Sequence, residues 1–551
     1  MLSFEELRKI PLFANLAPKE MDYLSRAVPD IHVASGEYVV HEGEEPGLIV
    51  VVEGKLETTK MMDGVERAVG YRPPGTLFGE PTVVLNVPFL ASLRAVEASR
   101  VTRIEPRVYY TLAATVPELA ATVAHAALGR VDRLQQLASA PAQVGVRLIG
   151  PNWQPSVYAM RDFLHRNQVD FEWLAPEDPA AGTLPLGPAA SSRSYPIALL
   201  ADGTVLVEPS FQDLARSVGL GIAPTKPAYE IVVIGGGPAG LSAAVYGAGD
   251  GNSTLLIERY APGGQAGTSS RIENYLGFPF GVSGDELATR ALRQARRLGA
   301  EIVVTRSVER IDVASRTLTL DGGDVVKAGT IILAMGVSWR RLSIEGLDRL
   351  TGRGVYYGAV RTSAPAMQGC DVFLIGAGNS AGQAAVFFSS YARSVTLVVR
   401  GEGLENSMAH YLIQQVRAKP NIRTEFRSEV VGVHGGDHLE TLEIVDRATG
   451  TTRRTEAAGL FVFIGADPST DWLPGEIARD PRGFVLTGAD AAATGQWTAA
   501  RPPSLLETTA PGVFAVGDVR SSMVKRVASA VGDGGLASSF ADQYLQELER
   551  V

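Results

Sequence analysis

A glycine-rich turn between two short apolar strands constrains this chain more than any other feature of its sequence. The turn reads GGGPAG at residues 235–240, follows the β-branched run 231–234 and opens an alanine-rich helical pattern. A second apolar strand, 254–257, then ends on the acidic residue Glu258. This order of strand, glycine turn, helix, strand and acid predicts a βαβ unit that binds a dinucleotide.

Each glycine of this turn has its own physical role. Gly235 permits the tight turn, Gly237 lets a pyrophosphate approach the backbone, and Gly240 allows helix and strand to pack closely. The free N–H groups and the positive end of the helix dipole then favour phosphate binding. Glu258 can accept hydrogen bonds from a ribose diol and would repel a 2′-phosphate. The first unit is therefore expected to hold a nucleotide whose ribose is unphosphorylated.

A second turn of the same kind lies further along the chain. GAGNSA at 376–381 follows the apolar strand 371–375 and opens a helical pattern rich in Ala and Phe. The next strand ends on a cation, Arg400, where the first unit has an acid. A cation there favours a 2′-phosphate and therefore NADPH over NADH. The opposite charges predict a flavin nucleotide in the first unit and a nicotinamide nucleotide in the second.

The composition excludes several other classes of protein. The 551 residues carry a formal net charge of -9 without a basic stripe, so no nucleic-acid partner is expected. No apolar run approaches the roughly 20 residues of a membrane span, and no secretory segment is seen, which predicts a cytoplasmic protein. The histidines form no cluster at metal-ligand spacing, so we expect no metal site. The length predicts about three or four domains.

From residue 229 onwards the chain resembles the low-molecular-weight thioredoxin reductases. The resemblance is carried by the two glycine turns together with PGGQ at 262–265, IENY at 272–275, GVFAVGD at 512–518 and KRVASA at 525–530. It implies an α/β fold with two Rossmann-like domains, in which an FAD domain is split by an NAD(P) domain. It also implies FAD and NADPH as cofactors, with NADH as the alternative, and a homodimer.

The resemblance assigns cofactor-binding residues to both nucleotide domains. The FAD residues are Gly235, Gly237, Pro238, Ala239, Gly240, Glu258, Arg259, Gly263, Gly264, Gln265, Asn274, Val308, Gly336, Gly517, Asp518, Lys525, Arg526 and Val527. The NADPH residues are Gly376, Gly378, Asn379, Ser380 and Arg400. The amides of Gln265 and Asn274 can hydrogen-bond a flavin edge, and Asp518 can accept from ribityl hydroxyls. Cations near Lys525 favour the negative charge of a reduced flavin. No catalytic acid or base is assigned.

The redox-active CxxC of the resembled family is missing. In that family the two cysteines follow a G-V-x-Y/F segment, but here GVYY at 354–357 continues as GAVR at 358–361. The chain has one cysteine, Cys370, which cannot form an internal disulfide and is expected to be inert. Thiolate attack through an internal dithiol is therefore excluded.

We consequently expect an FAD-dependent NAD(P)H oxidoreductase that passes electrons to an external acceptor. The acceptors left open are a quinone, dioxygen, a ferredoxin or flavodoxin, and the disulfide of a thioredoxin-like partner protein. The alternative is a regulatory flavoprotein that senses a ligand or a redox state with little turnover. In the resembled family the nicotinamide domain rotates, which places a hinge near Arg340 and Gly465, where the chain crosses between the domains.

Residues 1–140 resemble a cyclic-nucleotide-binding domain, a β-barrel or jelly roll with a C-terminal helix over 112–136. SGEYVVHEGEEPG at 35–47 and FGE at 78–80 carry the resemblance. The phosphate arginine of that family follows a proline, but PFLA at 88–91 puts Phe89 in its place. A phosphate without that cation loses a contact worth about 2 kcal/mol or more, so we expect the fold without cAMP binding.

Residues 144–222 resemble a thioredoxin or glutaredoxin domain with Pro196 in the place of the family's cis-proline. The loop GPNWQP at 150–155 contains no cysteine, so dithiol chemistry is excluded and a docking or spacer role is expected. The predicted domains are therefore 1–140, 144–222, the first FAD half 227–340, the NAD(P) domain 341–465 and the second FAD half 466–551.

Overall fold

Two compact units make up the protein, residues 1–144 and 145–551. The computed structural model describes residues 2–62, 65–139, 145–152, 154–188, 194–269, 271–279, 281–358 and 364–549. Within these ranges no helix is both long and apolar enough to cross a bilayer. The finer domain boundaries given by the sequence remain predictions.

The first unit is built on two four-stranded antiparallel sheets. Its strands are β1 (Ile31–Val33), β2 (Tyr38–Val40), β3 (Leu48–Glu53), β4 (Leu56–Met62), β5 (Val65–Arg72), β6 (Leu77–Phe78), β7 (Ser92–Ala95) and β8 (Ser99–Ile104). One sheet has the order β1-β8-β3-β6 and the other β2-β7-β4-β5. Buried side chains from both sheets form one core, so the predicted jelly roll is confirmed.

The helices of the first unit correct one prediction. They are α1 (Phe4–Arg8), α2 (Pro18–Ala27), α3 (Glu80–Leu85), α4 (Pro106–Thr115) and α5 (Pro117–Ser139). A single helix over 112–136 is wrong, because α4 ends at Thr115 and α5 begins at Pro117. Pro117 has no N–H with which to continue α4, but it is well tolerated at the first position of α5.

The second unit begins with a small α/β sheet. Its elements are β9 (Val146–Ile149), α6 (Pro155–Arg166), β10 (Phe171–Leu174), α7 (Pro179–Gly182), β11 (Ile197–Leu200), β12 (Val205–Val207) and α8 (Phe211–Ser217). The strand order is β10-β9-β11-β12, with only the first pair parallel. The peptide bond before Pro196 is cis. Trp153 of the cysteine-free loop lies outside the described residues.

Residues 228–339 form most of a larger sheet and two helices that cover it. The elements are β13 (Ala228–Ile234), α9 (Pro238–Gly249), β14 (Thr254–Ile257), α10 (Gly284–Arg297), β15 (Glu301–Val303), β16 (Val308–Asp312), β17 (Thr317–Leu320), β18 (Val325–Leu333) and β19 (Val337–Trp339). The order is β15-β14-β13-β18-β17-β16, in which the first four strands are parallel. This is the arrangement that the first glycine turn predicts.

A second, five-stranded parallel sheet follows. The elements are α11 (Leu347–Leu350), β20 (Val355–Tyr357), β21 (Asp371–Ile375), α12 (Asn379–Phe388), β22 (Ser394–Val398), α13 (His410–Ala418), β23 (Ile422–Glu425), β24 (Ser428–His434), β25 (Thr441–Asp446), β26 (Thr452–Glu456), β27 (Gly459–Val462) and β28 (Ala466–Pro468). The parallel order is β20-β27-β21-β22-β23, and β24, β25 and β26 form an antiparallel sheet of their own.

The last segment returns to the larger sheet. It contains α14 (Gly488–Ala493), β29 (Val513–Ala515) and α15 (Val527–Glu549). Strand β29 pairs in parallel with the end of β18, so that Leu333 lies opposite Ala515. The carboxyl ends of β13, β14, β18 and β29 therefore meet at one edge, where ligands bind in open parallel sheets.

The two connections between the larger sheet and the five-stranded sheet pair with each other. Strands β19 and β28 form a two-stranded antiparallel ribbon. Beyond the ribbon, the Arg340 amide donates to the carbonyl of Gly465 at 3.0 Å, and the Arg340 guanidinium contacts the Asp467 carboxylate at 2.7 Å. The two crossing points predicted near Arg340 and Gly465 are thus joined by a backbone hydrogen bond.

Candidate functional site

A cavity of about 540 Å³ lies at the carboxyl edge of the larger sheet. The first glycine turn, the residues that follow β14, β18 and β29, and the start of α15 supply most of its walls. Trp339, Arg341, Tyr357 and Ser380 line it from the side of the five-stranded sheet, and Arg166 reaches it from α6. The cavity therefore lies between the two nucleotide units that the sequence predicts.

The glycine turn is shaped for a close ligand. Gly235 has φ +104°, and a Cβ there would lie 2.5 Å from the carbonyl oxygen of Ala334. A Cβ on Gly240 would lie 1.8 Å from the carbonyl oxygen of Gly235. In contrast, a Cβ on Gly237 would meet nothing nearer than the Gly264 Cα at 4.0 Å. Gly235 and Gly240 thus serve backbone packing, whereas Gly237 keeps the cavity wall free of a side chain.

Glu258 joins the end of β14 to the glycine turn. Glu258 is buried, with 8% of its surface exposed. One carboxylate oxygen accepts from the Gly236 amide at 2.7 Å and the other from the Tyr260 amide at 2.9 Å. Each oxygen keeps a second lone pair for a ribose hydroxyl. The acid is therefore held at the cavity in an orientation that fits an unphosphorylated ribose.

The loop after Tyr260 lies directly on the glycine turn. The Gly263 amide donates to the Gly236 carbonyl at 2.7 Å. A Cβ on Gly264 would come within 2.9 Å of the Gly237 Cα. The Gln265 amide group donates to the carbonyl oxygen of Val337, which ties the loop to the segment after β18. Backbone atoms of two different segments consequently form a narrow cradle that suits a pyrophosphate.

An acid and a cation face the cavity from the last segment. Burial raises the pKa of the Asp518 carboxyl above its usual value, and the charge of Lys525 opposes this rise. Burial likewise lowers the pKa of the Lys525 ammonium, which lies 4.2 Å from the centre of the Phe484 ring. Arg526 and Val527 line the cavity where α15 begins, so the positive end of the helix dipole adds to the local positive potential.

The structure brings most of the predicted FAD residues together. Those that line the cavity are Gly235, Gly237, Pro238, Ala239, Glu258, Arg259, Gly264, Gln265, Gly336, Gly517, Asp518, Lys525, Arg526 and Val527. Their individual roles in binding remain predictions.

Four predicted FAD residues lie elsewhere. Gly240 packs beneath Gly235, and Gly263 lines a second cavity of about 620 Å³ between α9 and α10. Asn274 is exposed and does not line the first cavity. Val308 belongs to the hydrophobic core of the larger sheet. Asn274 and Val308 therefore make no contribution to the cavity walls that the structure describes.

The second glycine turn repeats the geometry of the first. Gly376 has φ +140°, and a Cβ there would lie 2.5 Å from the Phe463 carbonyl oxygen. A Cβ on Gly378 would meet nothing nearer than the Ser407 carbonyl oxygen at 3.9 Å, and Ser380 lines the cavity. The Asn379 side chain is already engaged, since it accepts from the Ala409 amide at 2.7 Å, just before α13.

Arg400 does not line the cavity, whereas three residues that the sequence did not indicate do. Arg400 is exposed just beyond β22, away from the cavity walls. The cavity also has aromatic walls, Trp339 and Tyr357, with Arg341 lying 5.9 Å from the Tyr357 ring centre. Tyr357 ends the GVYY segment in β20, which the sequence marks only for the cysteines missing after it, whereas Trp339 lies in β19 and Arg341 just beyond it. Among the described residues no group of His, Cys, Asp or Glu is arranged to hold a metal ion.

In the first unit, Phe89 is part of the core. Its residue is 2% exposed, and its ring stacks on Phe78 with 5.7 Å between ring centres. A Cβ on Gly79 would lie only 2.6 Å from this ring. Glu80 is buried at the start of α3, 3.5 Å from a nitrogen of Arg130. The position of the expected phosphate arginine is therefore filled by a packed aromatic side chain.

We expect Gly237→Ala to weaken FAD binding by roughly 2 kcal/mol, the value of one hydrogen bond to a charged group. The new methyl group would occupy the cavity wall, while the protein without FAD should unfold at the wild-type temperature. Titration of the apoprotein with FAD, followed by flavin fluorescence, measures the first effect. Gly240→Ala is the control, because its Cβ overlaps the Gly235 carbonyl and should lower the stability of the apoprotein itself. Wild-type FAD affinity in Gly237→Ala would contradict this assignment.

We also expect cAMP to leave the thermal stability of the full chain unchanged. A ligand at a hundred times its Kd would add about 2.7 kcal/mol of stability. Calorimetric titration with cAMP, with AMP as the control ligand, should give only heats of dilution. Saturable heat with cAMP alone would show that the barrel binds the nucleotide without the arginine.

Comparisons with known proteins agree with both halves of this description. The family described as Pyridine nucleotide-disulphide oxidoreductase matches residues 229–534, and that described as Cyclic nucleotide-binding domain matches residues 30–115. Thioredoxin reductase from Listeria innocua is 31% identical over 333 residues, 60% of this chain and 97% of the relative. Thioredoxin reductase from Streptomyces clavuligerus is 33% identical over 321 residues, 58% of this chain and 94% of the relative.

Solved structures give the same result. The crystal structure of Lactococcus lactis thioredoxin reductase has a TM-score of 0.52 at 28% identity and covers 58% of this chain and 99% of that one. The T. acidophilum thioredoxin reductase also has a TM-score of 0.52, at 27% identity, and covers 59% of this chain and 100% of that one. The chain therefore belongs to the pyridine nucleotide-disulphide oxidoreductase family, as a thioredoxin reductase-like, FAD-dependent oxidoreductase that also carries a cyclic-nucleotide-binding domain.

Proposed function

We propose that this protein is an FAD-dependent NADPH oxidoreductase that delivers electrons directly to an external acceptor, without a dithiol of its own. The observation that carries the proposal is a cavity walled by both nucleotide units, in a chain whose one cysteine does not line it. Cys370 is half-buried, and its thiol lies 3.6 Å from the carbonyl oxygen of Gln368. Cys370 therefore lies outside the cavity walls, and its thiol contacts the backbone of a residue close to it in the chain.

The residues of the cavity fit FAD by their shape and their chemistry. Gly237 and Gly264 leave a narrow backbone cradle, Glu258 offers acceptors for a ribose, and Asp518 offers an acceptor for further hydroxyls. Bound FAD supplies acceptance of a hydride from the pyridine nucleotide and onward transfer of two electrons. The chain itself positions the two nucleotides and, through Lys525 and the start of α15, favours negative charge at this end of the cavity.

We propose the electron acceptor only by its chemical class. Trp339 and Tyr357 place aromatic rings beside Ser380, and Arg341 adds a cation. Such walls can stack a flat quinone, and the other candidate acceptors are dioxygen and a small redox protein such as a ferredoxin, flavodoxin or thioredoxin-like partner. Slow turnover with every one of these acceptors would instead favour the regulatory flavoprotein. Self-association as a homodimer is a further proposal.

The preference for NADPH is proposed from Arg400. Its side chain is exposed beyond β22, and no hydrogen bond or ion pair joins it to the part of the chain that the structure describes. A guanidinium in this setting can turn towards a 2′-phosphate and bind it with two parallel hydrogen bonds. NADH offers no such group.

We expect NADPH to bleach the flavin faster than NADH under anaerobic conditions. Arg400→Ala should weaken NADPH binding by about tenfold and leave NADH nearly unchanged, as the loss of one charge-assisted contact implies. Stopped-flow absorbance of the flavin at several nucleotide concentrations gives the two affinities. Arg393→Ala is the matched control, because Arg393 lies at the opposite end of β22 and pairs with Asp371. Equal bleaching by the two nucleotides in the wild type would remove the argument for a 2′-phosphate site.

We expect Cys370→Ser to reoxidise with every acceptor at about the wild-type rate, since thiol chemistry has no part in the proposed route. The reduced protein is mixed in turn with quinone, oxygen, ferredoxin and oxidised thioredoxin while the flavin absorbance returns. Thermal unfolding checks that the substitution leaves the fold intact. Loss of reoxidation in a folded Cys370→Ser protein would return the cysteine to the mechanism.

A further inference from the structure

Helix α6 of the small α/β sheet reaches the wall of the FAD cavity. Its last residue, Arg166, lines the cavity, although it lies before the residues that the family match covers, 229–534. The side chain of Arg166 is 12% exposed. A permanently charged group therefore enters the FAD site from a part of the chain outside the FAD domain itself.

The guanidinium of Arg166 donates hydrogen bonds to three carbonyl groups of the cavity loop. Its Nη2 donates to the carbonyl oxygens of Gly264 at 2.9 Å and Ala261 at 3.1 Å, with Pro262 at 3.4 Å. Its Nε is buried without a hydrogen-bond partner among the described residues. Among the described residues the one acid within ion-pair distance is Asp162, at 3.7 Å from Nη1 to Oδ2. Asp162 therefore offsets only part of the guanidinium charge, since the contact is long and Nη2 faces carbonyl groups.

A second contact fixes the same segment from α6. The Tyr260 hydroxyl lies 2.9 Å from the Ala159 carbonyl oxygen and 3.1 Å from Asp162 Oδ2. The Tyr260 ring packs against Phe163 and Phe211, with ring centres 5.7 and 5.1 Å away. Because Tyr260 follows Glu258 by two residues, α6 holds the chain from the ribose acid to the cavity loop.

The loop would be unfavourable for an anion without Arg166. Carbonyl oxygens that converge at one point carry partial negative charge, and they would repel a pyrophosphate on the same cavity wall. Arg166 donates to them and adds positive charge beside them, which Asp162 offsets in part. Its hydrogen bond to the Gly264 carbonyl also holds the loop against the glycine turn, where Gly264 and Gly237 are in close contact.

We propose that Arg166 is an FAD-positioning residue: it clamps the loop 261–264 onto the glycine turn and supplies positive charge to the wall that receives the FAD pyrophosphate. The small α/β sheet is thereby a structural part of the flavin site rather than a separate spacer. The proposal rests on the FAD site described above.

The test is a titration of the full-length apoprotein with FAD, followed by flavin fluorescence at two or more salt concentrations. Arg166→Gln should bind FAD about tenfold more weakly and with a smaller dependence on salt, because a charge-assisted contact is lost. Arg147→Gln is the matched control, because Arg147 lies in the same small sheet and pairs with Glu172 on the surface. It should bind FAD as the wild type does.

The outcomes separate this proposal from the proposed function. Failure of the wild type and of Arg147→Gln to bind FAD would overturn the flavin site as a whole. Wild-type affinity and salt dependence in Arg166→Gln would overturn the role of Arg166 alone. If circular dichroism shows that Arg166→Gln does not fold, Arg166→Lys decides: the Lys ammonium keeps the charge and three N–H donors on one nitrogen, so FAD affinity within a few-fold of the wild type together with the wild-type salt dependence supports the proposal, and a tenfold loss of affinity despite the retained charge and donors refutes it.

Discussion

The nucleotide-binding half of this protein depends on backbone contacts that no side chain would permit. At the first turn a Cβ on Gly240 would lie 1.8 Å from the Gly235 carbonyl oxygen. On the other face of α9, a Cβ on Gly534 of α15 would lie 2.1 Å from the Ala239 carbonyl oxygen. Helix α9 thus packs between the glycine turn and α15 with no room for a side chain at Gly240 or Gly534. This packing is what brings the start of α15 to the cavity.

The same constraint explains a feature that helix propensity disfavours. Gly247 lies inside α9, where glycine costs about 1 kcal/mol relative to alanine. A Cβ there would lie 2.8 Å from Thr254 Oγ1 and 3.4 Å from the Ser538 hydroxyl oxygen. The helix therefore accepts a poor helix former in exchange for close contact with both β14 and α15. Tertiary packing decides this position, and intrinsic propensity does not.

The sequence predicts those parts of the site that depend on neighbours along the chain. Each glycine turn and the charged residue at the end of the next strand, Glu258 or Arg400, depend on local geometry. The strands and helices around both turns are therefore correctly predicted. Asn274 and Val308 are assigned by the resemblance alone and do not line the cavity, so their roles stay predictions. The apolar spacing continues across Pro117, so the sequence pattern does not indicate the break between α4 and α5 at Val116. Arg166 could not be predicted, because its partners lie far along the chain and no motif marks the contact.

The small α/β sheet also connects the two nucleotide units to each other. At one end of α6, a Cβ on Gly352 would lie 3.0 Å from Pro155 Cβ, and the rings of Tyr158 and Tyr356 have centres 5.7 Å apart. At the other end, Arg166 contacts the loop of the FAD cavity. Packed contacts of this kind have discrete arrangements and do not stretch. Any rotation of the five-stranded sheet relative to the larger one would therefore have to change the contacts at one end of α6, in addition to the β19–β28 ribbon that the sequence predicts as the hinge.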